Sequence, residues 1–371
     1  MLATSGITAL FALALTATVS APVNAFEIEL TKRDLGLKSA DGAVNIQALD
    51  DETARLTLKY ARNRANWRYH VFGEGSLDAT ARMAREKRAN VGTLALAHPG
   101  FAIWTGQVSV GTPAQNLDIY FDTGSSDFTV ASTNCPSSSC GTKDRYNVAA
   151  STSAVQTSKF VRTNFVDGTS SQGPVVQDVV SIAGTVANQQ DVVAATSLST
   201  SVAKIASDGM GLAYPALSSA YSLSYMFNLY NQGTYLYPYF SMRLSNSKPS
   251  SLLLGSYNRI YLGTQLRWFP VTPQAGTSYR TYWQIGGSAP LVNGQQAITT
   301  RVNHILDSGT TFIVAPPTAA AEFWSNVPGS QVYNSQYWTY ASQMQLLAPS
   351  VYVIHDVGGN RIGLSTPPAY R

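Results

Sequence analysis

Two stretches of the sequence decide the fold. The first is Asp118–Val130, DIYFDTGSSDFTV, and the second, about half a chain later, is Arg301–Pro316, RVNHILDSGTTFIVAP. Each is an apolar strand that runs directly into an aspartate, a small hydroxyl residue and a glycine. A strand end holds a carboxylate in a rigid position, and glycine lets backbone and ligand approach closely. Two copies therefore suggest two carboxylates, Asp122 and Asp307, that face one site.

One Asp-Thr-Gly or Asp-Ser-Gly tripeptide alone is weak evidence, because Asp-x-Gly is also ordinary turn chemistry between strands. The repeat is stronger evidence because the two copies share their flanks. Apolar residues precede each aspartate, and a hydroxyl pair follows each glycine, Ser125-Ser126 in one and Thr310-Thr311 in the other. The apolar strand, the aspartate, the glycine and the hydroxyl pair are unlikely to recur together by chance.

Length and composition favour a β-rich globular protein with two cores. The chain has 371 residues, of which only 12% are charged, and Gly, Ser, Thr, Tyr and Val are plentiful. The net charge of +4 arises from 25 basic and 21 acidic residues. A charge this small and scattered does not indicate a nucleic-acid partner.

The first 25 residues carry no charged side chain, and an apolar run over 7–19 leads to Val23-Asn24-Ala25. This resembles a secretory signal peptide, although the usual basic start is missing. The alternative is an N-terminal membrane anchor, for which the run is short. We expect a secreted chain without stable membrane association, with the vacuole as the other possible destination.

Residues 26–88 differ in composition from the rest, since they hold 12 of the 25 basic residues. Within this segment, Glu52–His70 has helical spacing of Leu56, Tyr60, Asn63 and Trp67, which predicts an amphipathic helix with a basic face. The alternative interpretation is a solvated surface helix. The segment ends on the dibasic pair Lys87-Arg88, so we interpret 26–88 as a propeptide.

A basic propeptide would bind a cleft lined with carboxylates and act as an intramolecular inhibitor. Four basic side chains of the predicted helix could fill the cleft, and the sequence does not choose between them: Lys59, Arg62, Arg64 and Arg68.

After Gly100 the chain consists of short apolar runs separated by Gly, Pro, Asn or Ser, which predict strands. The predicted strands are 103–110, 117–121, 128–131, 160–165, 175–182, 251–254, 268–271 and 283–285. Two short helices are expected near 225–232 and 318–327. We therefore predict an all-β plan of two lobes, each with one Asp-x-Gly strand.

The two cysteines, Cys135 and Cys140, lie in the loop TNCPSSSC after the first motif. In an oxidising compartment they could close a small surface loop, which is the favoured interpretation. A metal site would need further ligands, and the four histidines are dispersed. We expect neither a metal nor a cofactor.

At this point the chain resembles a pepsin-like aspartic endopeptidase of the kind that fungi secrete. The matching segments cover nearly all of residues 100–330 and are specific, namely TGQVSVGTPAQNLDIYFDTGSSD (105–127), the cysteine loop, DGTSSQG (167–173), SDGMGLAYPAL (207–217), MFNLYNQG (226–233), SLLLGSYNRIYLGTQLRWFPV (251–271), YWQI (282–285) and ILDSGTTFIVAP (305–316). The resemblance implies a bilobal all-β fold with the active-site cleft between the lobes.

By this resemblance, Asp122 and Asp307 are the catalytic pair. Two like charges in contact cannot both ionise, so one carboxylic acid and one carboxylate share a proton. The carboxylate deprotonates a water as it attacks the peptide carbonyl, and the acid polarises that carbonyl. This chemistry needs no metal and no covalent intermediate.

The neighbours of the pair have roles by the same resemblance. Thr123 and Ser308 would link the two loops, Ser125 and Thr310 would hydrogen-bond the outer carboxylate oxygens, and Gly124 and Gly309 would give close access. A hairpin would form the flap that closes over substrate. Its residues are Phe165, Val166, Asp167, Gly168 and Thr169.

The chain departs from the family pattern near the flap. Phe165 stands where the family has Tyr, Val166 where it has Gly, and Thr129 where it has the Trp that hydrogen-bonds that Tyr. Losing both partners of one hydrogen bond is milder than leaving one unpaired. We therefore expect slower turnover or altered specificity, and retained chemistry.

The second departure is in the C-terminal lobe. Only about twenty residues, SQVYNSQYWTYASQMQLLAP, separate the match that ends near Pro328 from the closing match SVYVIHDVGGNRIGLSTP (350–367). The family has a long run of strands there, which twenty residues cannot hold. We expect a truncated C-terminal lobe, from a misannotated or alternatively spliced gene product or a degenerate protein.

The predicted organisation is a signal peptide over 1–25, a propeptide over 26–88, an N-terminal β lobe with the interlobe sheet over 89–270, and the truncated lobe over 271–371. The leading hypothesis is a secreted, monomeric zymogen that hydrolyses peptide or protein substrates between bulky apolar residues at acid pH. The apolar preference is implied by the resemblance and by the aromatic character of the site region. The rival is a catalytically impaired pepsin-like protein that binds peptides or inhibitors. A β-sandwich adhesion module with incidental Asp-x-Gly turns is the third and weakest hypothesis.

Overall fold

The computed structural model describes most of the chain from Phe26 onward, in the ranges 26–37, 44–72, 92–94, 102–164, 170–198, 208–235, 238–245, 250–262, 266–292, 294–310, 313–334, 338–339 and 352–365. The predicted signal peptide and the dibasic pair at 87–88 lie outside these ranges.

The described chain is dominated by strands, as the sequence predicts. Those of the first half are β1 (Phe26–Asp34), β2 (Gly92–Leu94), β3 (Ala102–Val110), β4 (Gln115–Asp122), β5 (Phe128–Ala131), β6 (Val155–Asn164), β7 (Ser170–Ile182), β8 (Thr185–Ala195) and β9 (Asp208–Gly211). Those of the second half are β10 (Tyr239–Arg243), β11 (Ser250–Leu254), β12 (Arg267–Pro270), β13 (Gln284–Ser288), β14 (Leu291–Val292), β15 (Gln295–Gln296), β16 (Val302–Ile305), β17 (Ile313–Ala315), β18 (Gln331–Val332), β19 (Trp338–Thr339), β20 (Tyr352–Asp356) and β21 (Arg361–Ser365).

The helices are α1 (Ile46–Phe72), the single turn α2 (Ser137–Cys140), α3 (Tyr225–Asn231) and α4 (Pro317–Ser325). Three short 3-10 turns cover Val148–Ala150, Pro215–Leu217 and Arg259–Tyr261. The predicted amphipathic helix of the leading segment is confirmed as α1, and the two short helices of the later chain as α3 and α4.

Thirteen strands form one continuous sheet that runs through both halves of the chain, in the order β12-β21-β20-β10-β11-β1-β3-β4-β9-β5-β8-β7-β6. Small two-stranded pairings join β13 with β16, β14 with β15, β17 with β2, and β18 with β19. The all-β plan in two lobes is therefore confirmed, with the long helix α1 as its exception in the leading segment.

The strand β1 of the leading segment joins the two halves of this sheet. Its first half pairs antiparallel with β11, and its second half pairs antiparallel with β3. Leu30 is buried in the main core, and the side chains of Ile28 and Leu30 lie over Gly106, where a Cβ would come within 2.8 Å of Ile28. The sequence analysis did not predict this strand.

Hydrophobic alternation explains how the first motif is positioned. Along β4 the side chains of Leu117, Ile119 and Phe121 are buried at every second position. They belong to the main apolar cluster, which extends to Phe240 and Trp283 in the second half. Because period-2 burial fixes the register of a strand, Asp122 is held at a defined strand end.

The closing part of the chain is described in pieces. Inside the short connection, β18 and β19 pair through Gln331 with Thr339 and Val332 with Trp338. The closing match forms β20 and β21, which join the large sheet beside β10. Residues 340–351 of the connection lie outside the described ranges, so truncation of this lobe stays a prediction, as do the domain boundaries.

None of the described helices has the length and apolar character needed to cross a lipid bilayer.

Candidate active site

The two Asp-x-Gly motifs meet at the centre of the molecule. Asp122 is the last residue of β4, and Asp307 follows two residues after β16 ends. The side chains of both aspartates are almost fully buried, with 3% and 4% of their surface exposed. The structure therefore brings together the two carboxylates that the sequence analysis paired.

The two loops are linked beneath the carboxylates by a symmetric set of hydrogen bonds. The Thr123 amide donates to the Ser308 hydroxyl over 3.0 Å, and the Ser308 amide donates to the Thr123 hydroxyl over 2.9 Å. Each hydroxyl then donates to the strand opposite, Thr123 to the carbonyl of Leu306 at 2.9 Å and Ser308 to that of Phe121 at 2.7 Å. All four groups are satisfied, which holds the loops in register.

Each carboxylate also accepts a matching pair of hydrogen bonds from its own loop. Asp122 accepts from the Gly124 amide at 2.9 Å and from the Ser125 hydroxyl at 2.6 Å.

The second loop repeats this arrangement. Asp307 accepts from the Gly309 amide at 2.9 Å and from the Thr310 hydroxyl at 2.6 Å. The structure thus brings together all eight residues predicted to form and support the pair.

The two glycines are required for this approach. A Cβ at Gly124 would collide with the carboxylate of Asp307, and a Cβ at Gly309 would collide with that of Asp122. Any side chain at either position would push the carboxylates apart, so the glycines are a steric condition of the pair.

The ammonium group of Lys59, on α1, lies between the two carboxylates. Its Nζ is 2.6 Å from Oδ1 of Asp122 and 2.8 and 2.7 Å from Oδ1 and Oδ2 of Asp307. Only 5% of the Lys59 side chain is exposed. Of the four basic candidates on the predicted helix, the one that reaches the pair is therefore Lys59.

Three further side chains of α1 hold the helix over the site, and the sequence analysis did not assign them this role. The Tyr60 hydroxyl donates to Oδ2 of Asp307 at 2.6 Å. Arg55 and Asn63 donate to the carbonyls of Gly309 and Gly124, at 2.7 and 2.5 Å. The helical spacing already placed Tyr60 and Asn63 on one face, which was the available signal.

Burial and the ammonium group set the charge states of the pair. Burial raises the pKa of Asp122, and the opposing effect of Lys59 does not cancel this rise. Burial also acts to raise the pKa of Asp307, but Lys59 and the hydrogen bonds to this carboxylate outweigh it and lower that pKa. The pKa values of the two carboxyl groups are thus shifted in opposite directions while Lys59 is docked between them.

Two other predictions concern the surroundings of the pair. The predicted flap residues, Phe165 to Thr169, lie outside the described residues, whereas their flanking strands β6 and β7 pair antiparallel up to Asn164 and Ser170. The predicted disulfide between Cys135 and Cys140 is confirmed, and it closes the turn α2.

Comparison with known proteins points in the same direction as the geometry. The family model described as eukaryotic aspartyl protease matches residues 103–367. An aspartic protease of Phaffia rhodozyma is 31% identical over 356 residues, which cover 95% of this chain and 80% of that protein. This match extends through the leading segment as well as the two motifs.

Vertebrate relatives match over a shorter range. Pepsin-2B of Gadus morhua is 30% identical over 256 residues, covering 68% of this chain and 76% of that protein. Chymosin of Bos taurus is 31% identical over 269 residues, covering 71% and 68% respectively.

Proposed function

Because this chain belongs to the eukaryotic aspartyl protease family, we propose that it is an exported zymogen that hydrolyses peptide bonds at acid pH with Asp122 and Asp307 as its catalytic pair. The enzyme class, aspartic-type endopeptidase, comes with the family. The observation that carries the proposal is the pair of buried carboxylates on two cross-linked loops.

The proposed reaction needs one protonated and one ionised carboxyl group after Lys59 has left, and two carboxyl groups in contact favour that state because both cannot ionise together. One carboxylate takes a proton from a water molecule as that water attacks the scissile carbonyl. The neighbouring carboxylic acid donates a hydrogen bond to the carbonyl oxygen, where negative charge develops. The hydroxyls of Ser125 and Thr310 hold the outer oxygens, so the inner oxygens stay directed at the reacting atoms.

The contact of Lys59 with both aspartates supports a precursor state. Its ammonium group fills the space in which a water would have to touch both carboxylates. The helix α1 covers the site, so substrate has no access while the helix is docked. We propose that residues 26–88 are a propeptide that leaves on activation, and that the mature enzyme acts outside the cell or in the vacuole.

Acid activation followed by a protease assay tests this function. The chain is expressed with its leading segment and acidified, and cleavage of a denatured protein is measured with and without a statine-type inhibitor. We expect cleavage that the inhibitor abolishes. Absence of cleavage would favour the alternative, a pepsin-like protein that binds peptides without turning them over, and inhibitor-resistant cleavage would point to different chemistry.

A further inference from the structure

A histidine lies inside the aromatic part of the core that joins the two halves of the chain. His355, on β20, is 2% exposed and stacks face to face on Phe240 of β10, with ring centroids 4.2 Å apart. Its ring also meets the indole of Trp283 edge to face, with centroids 4.9 Å apart. The imidazole is therefore enclosed by rings that carry no hydrogen-bond acceptor.

Neither ring nitrogen of His355 has a hydrogen-bond partner among the described residues. Buried polar groups are normally paired, because leaving one unpaired costs free energy. Asp356, the next residue, points to the opposite face of the strand, where its carboxylate accepts from Arg361 and from the Gly359 amide. No bond that the imidazole makes in the described structure accounts for a histidine at this position.

Trp283 connects this cluster to the first motif through its side chain. The indole is fully buried, and its Nε1 donates to the carbonyl of Leu212 at 2.9 Å. The amide of Leu212 in turn donates to the carbonyl of Asp122 at 2.8 Å. The indole is thus two hydrogen bonds away from the backbone of the first aspartate.

The backbone of Trp283 reaches the second motif in a similar way. Its carbonyl accepts from the amide of Leu306, the residue directly before Asp307, at 2.9 Å. The carbonyl of Leu306 accepts from the Thr123 hydroxyl, which is one of the links between the two loops. A shift of Trp283 would therefore disturb the loops of both aspartates, and a displacement of about 1 Å at a reacting group can cost about a hundredfold in rate.

We propose that His355 is a positioning residue for the catalytic pair, which holds Trp283 in place while the imidazole is neutral and releases it when the imidazole gains a proton. The proposal rests on the proposed peptidase function and adds a limit to its activity at the acid end of the pH range.

The cost of a charge at this position is the reason for the release. A protonated ring here has lost its water and has no carboxylate partner among the described residues. The faces of Phe240 and Trp283 attract a cation, but they replace only part of its hydration. The charged ring should turn toward solvent, and Trp283 then loses one wall of its packing.

The pH at which this happens is set by burial. Burial lowers the pKa of His355 to about 3, and the backbone of Phe240 opposes this shift only in part. No charged side chain of the described residues contributes to the shift. The phenol of Tyr214, which packs on Trp283, stays neutral in acid because burial raises its pKa. His355 is therefore neutral at pH 5 and gains its proton as the pH falls through about 3.

The test compares wild type with His355→Phe after acid activation, with kcat and KM measured on one peptide from pH 2 to pH 5. Phenylalanine keeps a ring of similar size and cannot take a proton. Each kcat is divided by the same enzyme's value at pH 5, so that the titration of the aspartates affects both profiles alike. At pH 2 we expect the relative kcat of wild type to be about tenfold below that of the variant, with equal KM, because a group with a pKa of about 3 is then about nine-tenths protonated. Superimposable profiles would overturn the proposal.

A matched control and a folding check accompany this comparison. His304→Phe makes the same substitution at a partly exposed histidine of β16 and should keep the wild-type profile. An equal change in that variant would contradict the role of His355. Far-UV circular dichroism at each pH follows the fold, and a loss of kcat that coincides with unfolding would replace positioning by a purely structural effect.

A measurement without turnover separates this proposal from the proposed function. If no peptide is cut at any pH, the peptidase function fails, and the indole N–H resonance of Trp283 still reports on the coupling in the acid-activated chain. This resonance is assigned from its contacts with the neighbouring rings. We expect it to shift with an apparent pKa of about 3 in wild type and to stay constant in His355→Phe. A resonance that does not move in wild type between pH 2 and pH 5 would contradict the coupling.

Discussion

We infer that the docked position of α1 over the site depends on Lys59, which contacts both carboxylates. Lys59 is a buried cation with two buried anionic partners, and removal of one partner from such a group typically costs about 3 to 5 kcal/mol. The pKa of Asp307 is lowered while α1 is docked. The contact between Asp307 and Lys59 therefore stabilises docking at pH values above the ordinary aspartate pKa. This stabilisation is lost as the pH falls toward the lowered pKa.

We predict that Lys59→Met weakens docking of α1 and moves release of the leading segment to higher pH. Release is followed on gels after incubation over a range of pH. Arg64→Met, at an exposed position of the same helix, is the control and should release as wild type does. An unchanged pH profile in Lys59→Met would show that Lys59 is not what holds the site closed.

The glycines of the two motifs give a second prediction at the residue scale. Gly124→Ala places a methyl group against the Asp307 carboxylate, and a displacement of about 1 Å at a reacting group can cost about a hundredfold in rate. We expect a loss of kcat of at least that size. Gly286→Ala, where the added Cβ meets only Thr272 at 3.5 Å, should keep wild-type activity, and a comparable loss there would undermine the steric argument.

The two aspartates were predictable because the motif that carries them is repeated with its flanks, and the hydrogen bonds that each carboxylate accepts from its own loop are local. The links between the two loops join residues more than 180 positions apart, and the family resemblance, not a local pattern, indicated them. Which basic side chain would reach the pair was not predictable. Lys59, Arg62 and Arg64 are within two turns of one helix, and the choice depends on the rotation and depth of that helix against loops far away in sequence.

At the scale of elements, β1 has a structural role that is separate from the inhibitory role proposed for α1. It lies between β11 and β3 and so connects strands of the two halves. Its first five residues, FEIEL, alternate apolar and charged side chains, which is a strand signal. The alternation covers only five residues at the start of a segment rich in charged side chains, which makes it a weak signal.

Leu30→Ala tests this structural role. Truncation of a buried leucine in a core typically costs 2 to 5 kcal/mol, so we expect the precursor to unfold at a lower denaturant concentration than wild type. After activation, the mature enzyme should have wild-type stability, because the altered residue has left with the leading segment. A precursor with unchanged stability would contradict the packing of β1 seen here.

His355 on β20 is a titratable side chain buried in the core of the sheet. It is 2% exposed and stacks face to face on Phe240 with ring centroids 4.2 Å apart, and burial lowers its pKa to about 3. The folded chain therefore binds this proton less readily than the unfolded chain does. Stability should fall as pH drops below about 6.5 and level off below about 3.

We predict that His355→Phe reduces this acid sensitivity while keeping the stacking. The difference between the unfolded pKa of 6.5 and the folded pKa of about 3 corresponds to a loss of at most about 5 kcal/mol in the free energy of unfolding. Urea unfolding at pH 7 and at pH 4 measures the effect, and the pH 7 data serve as the internal control. If wild type and variant lose equal stability between the two pH values, His355 is not the group responsible.

At the scale of the whole molecule, the bilobal plan follows from a repeat of one strand and one loop, which is why the sequence alone was sufficient to predict it. The short strands of the second lobe could not be predicted from the sequence. Its small pairings, such as β14 with β15 and β18 with β19, are two residues long. Strands this short carry no periodicity that a sequence pattern could reveal.

The leading segment contacts the rest of the molecule through a side chain, a helix and a strand. One of its side chains occupies the space between the carboxylates, its helix covers the cleft, and its strand completes the sheet that joins the halves. The proposal of a zymogen therefore predicts that the chain folds with this segment in place and that the two carboxylates become accessible only after its removal.

The most direct test of this account is the activity of Asp122→Asn and Asp307→Asn after acid activation, with cleavage of a denatured protein measured by product appearance. Asparagine keeps the size of the side chain and removes its ability to exchange a proton. Each variant should lose at least about a hundredfold in kcat/KM, since general acid and base catalysis contribute about 100- to 10,000-fold. Retention of wild-type cleavage by either variant would contradict the assignment of this pair as the catalytic centre.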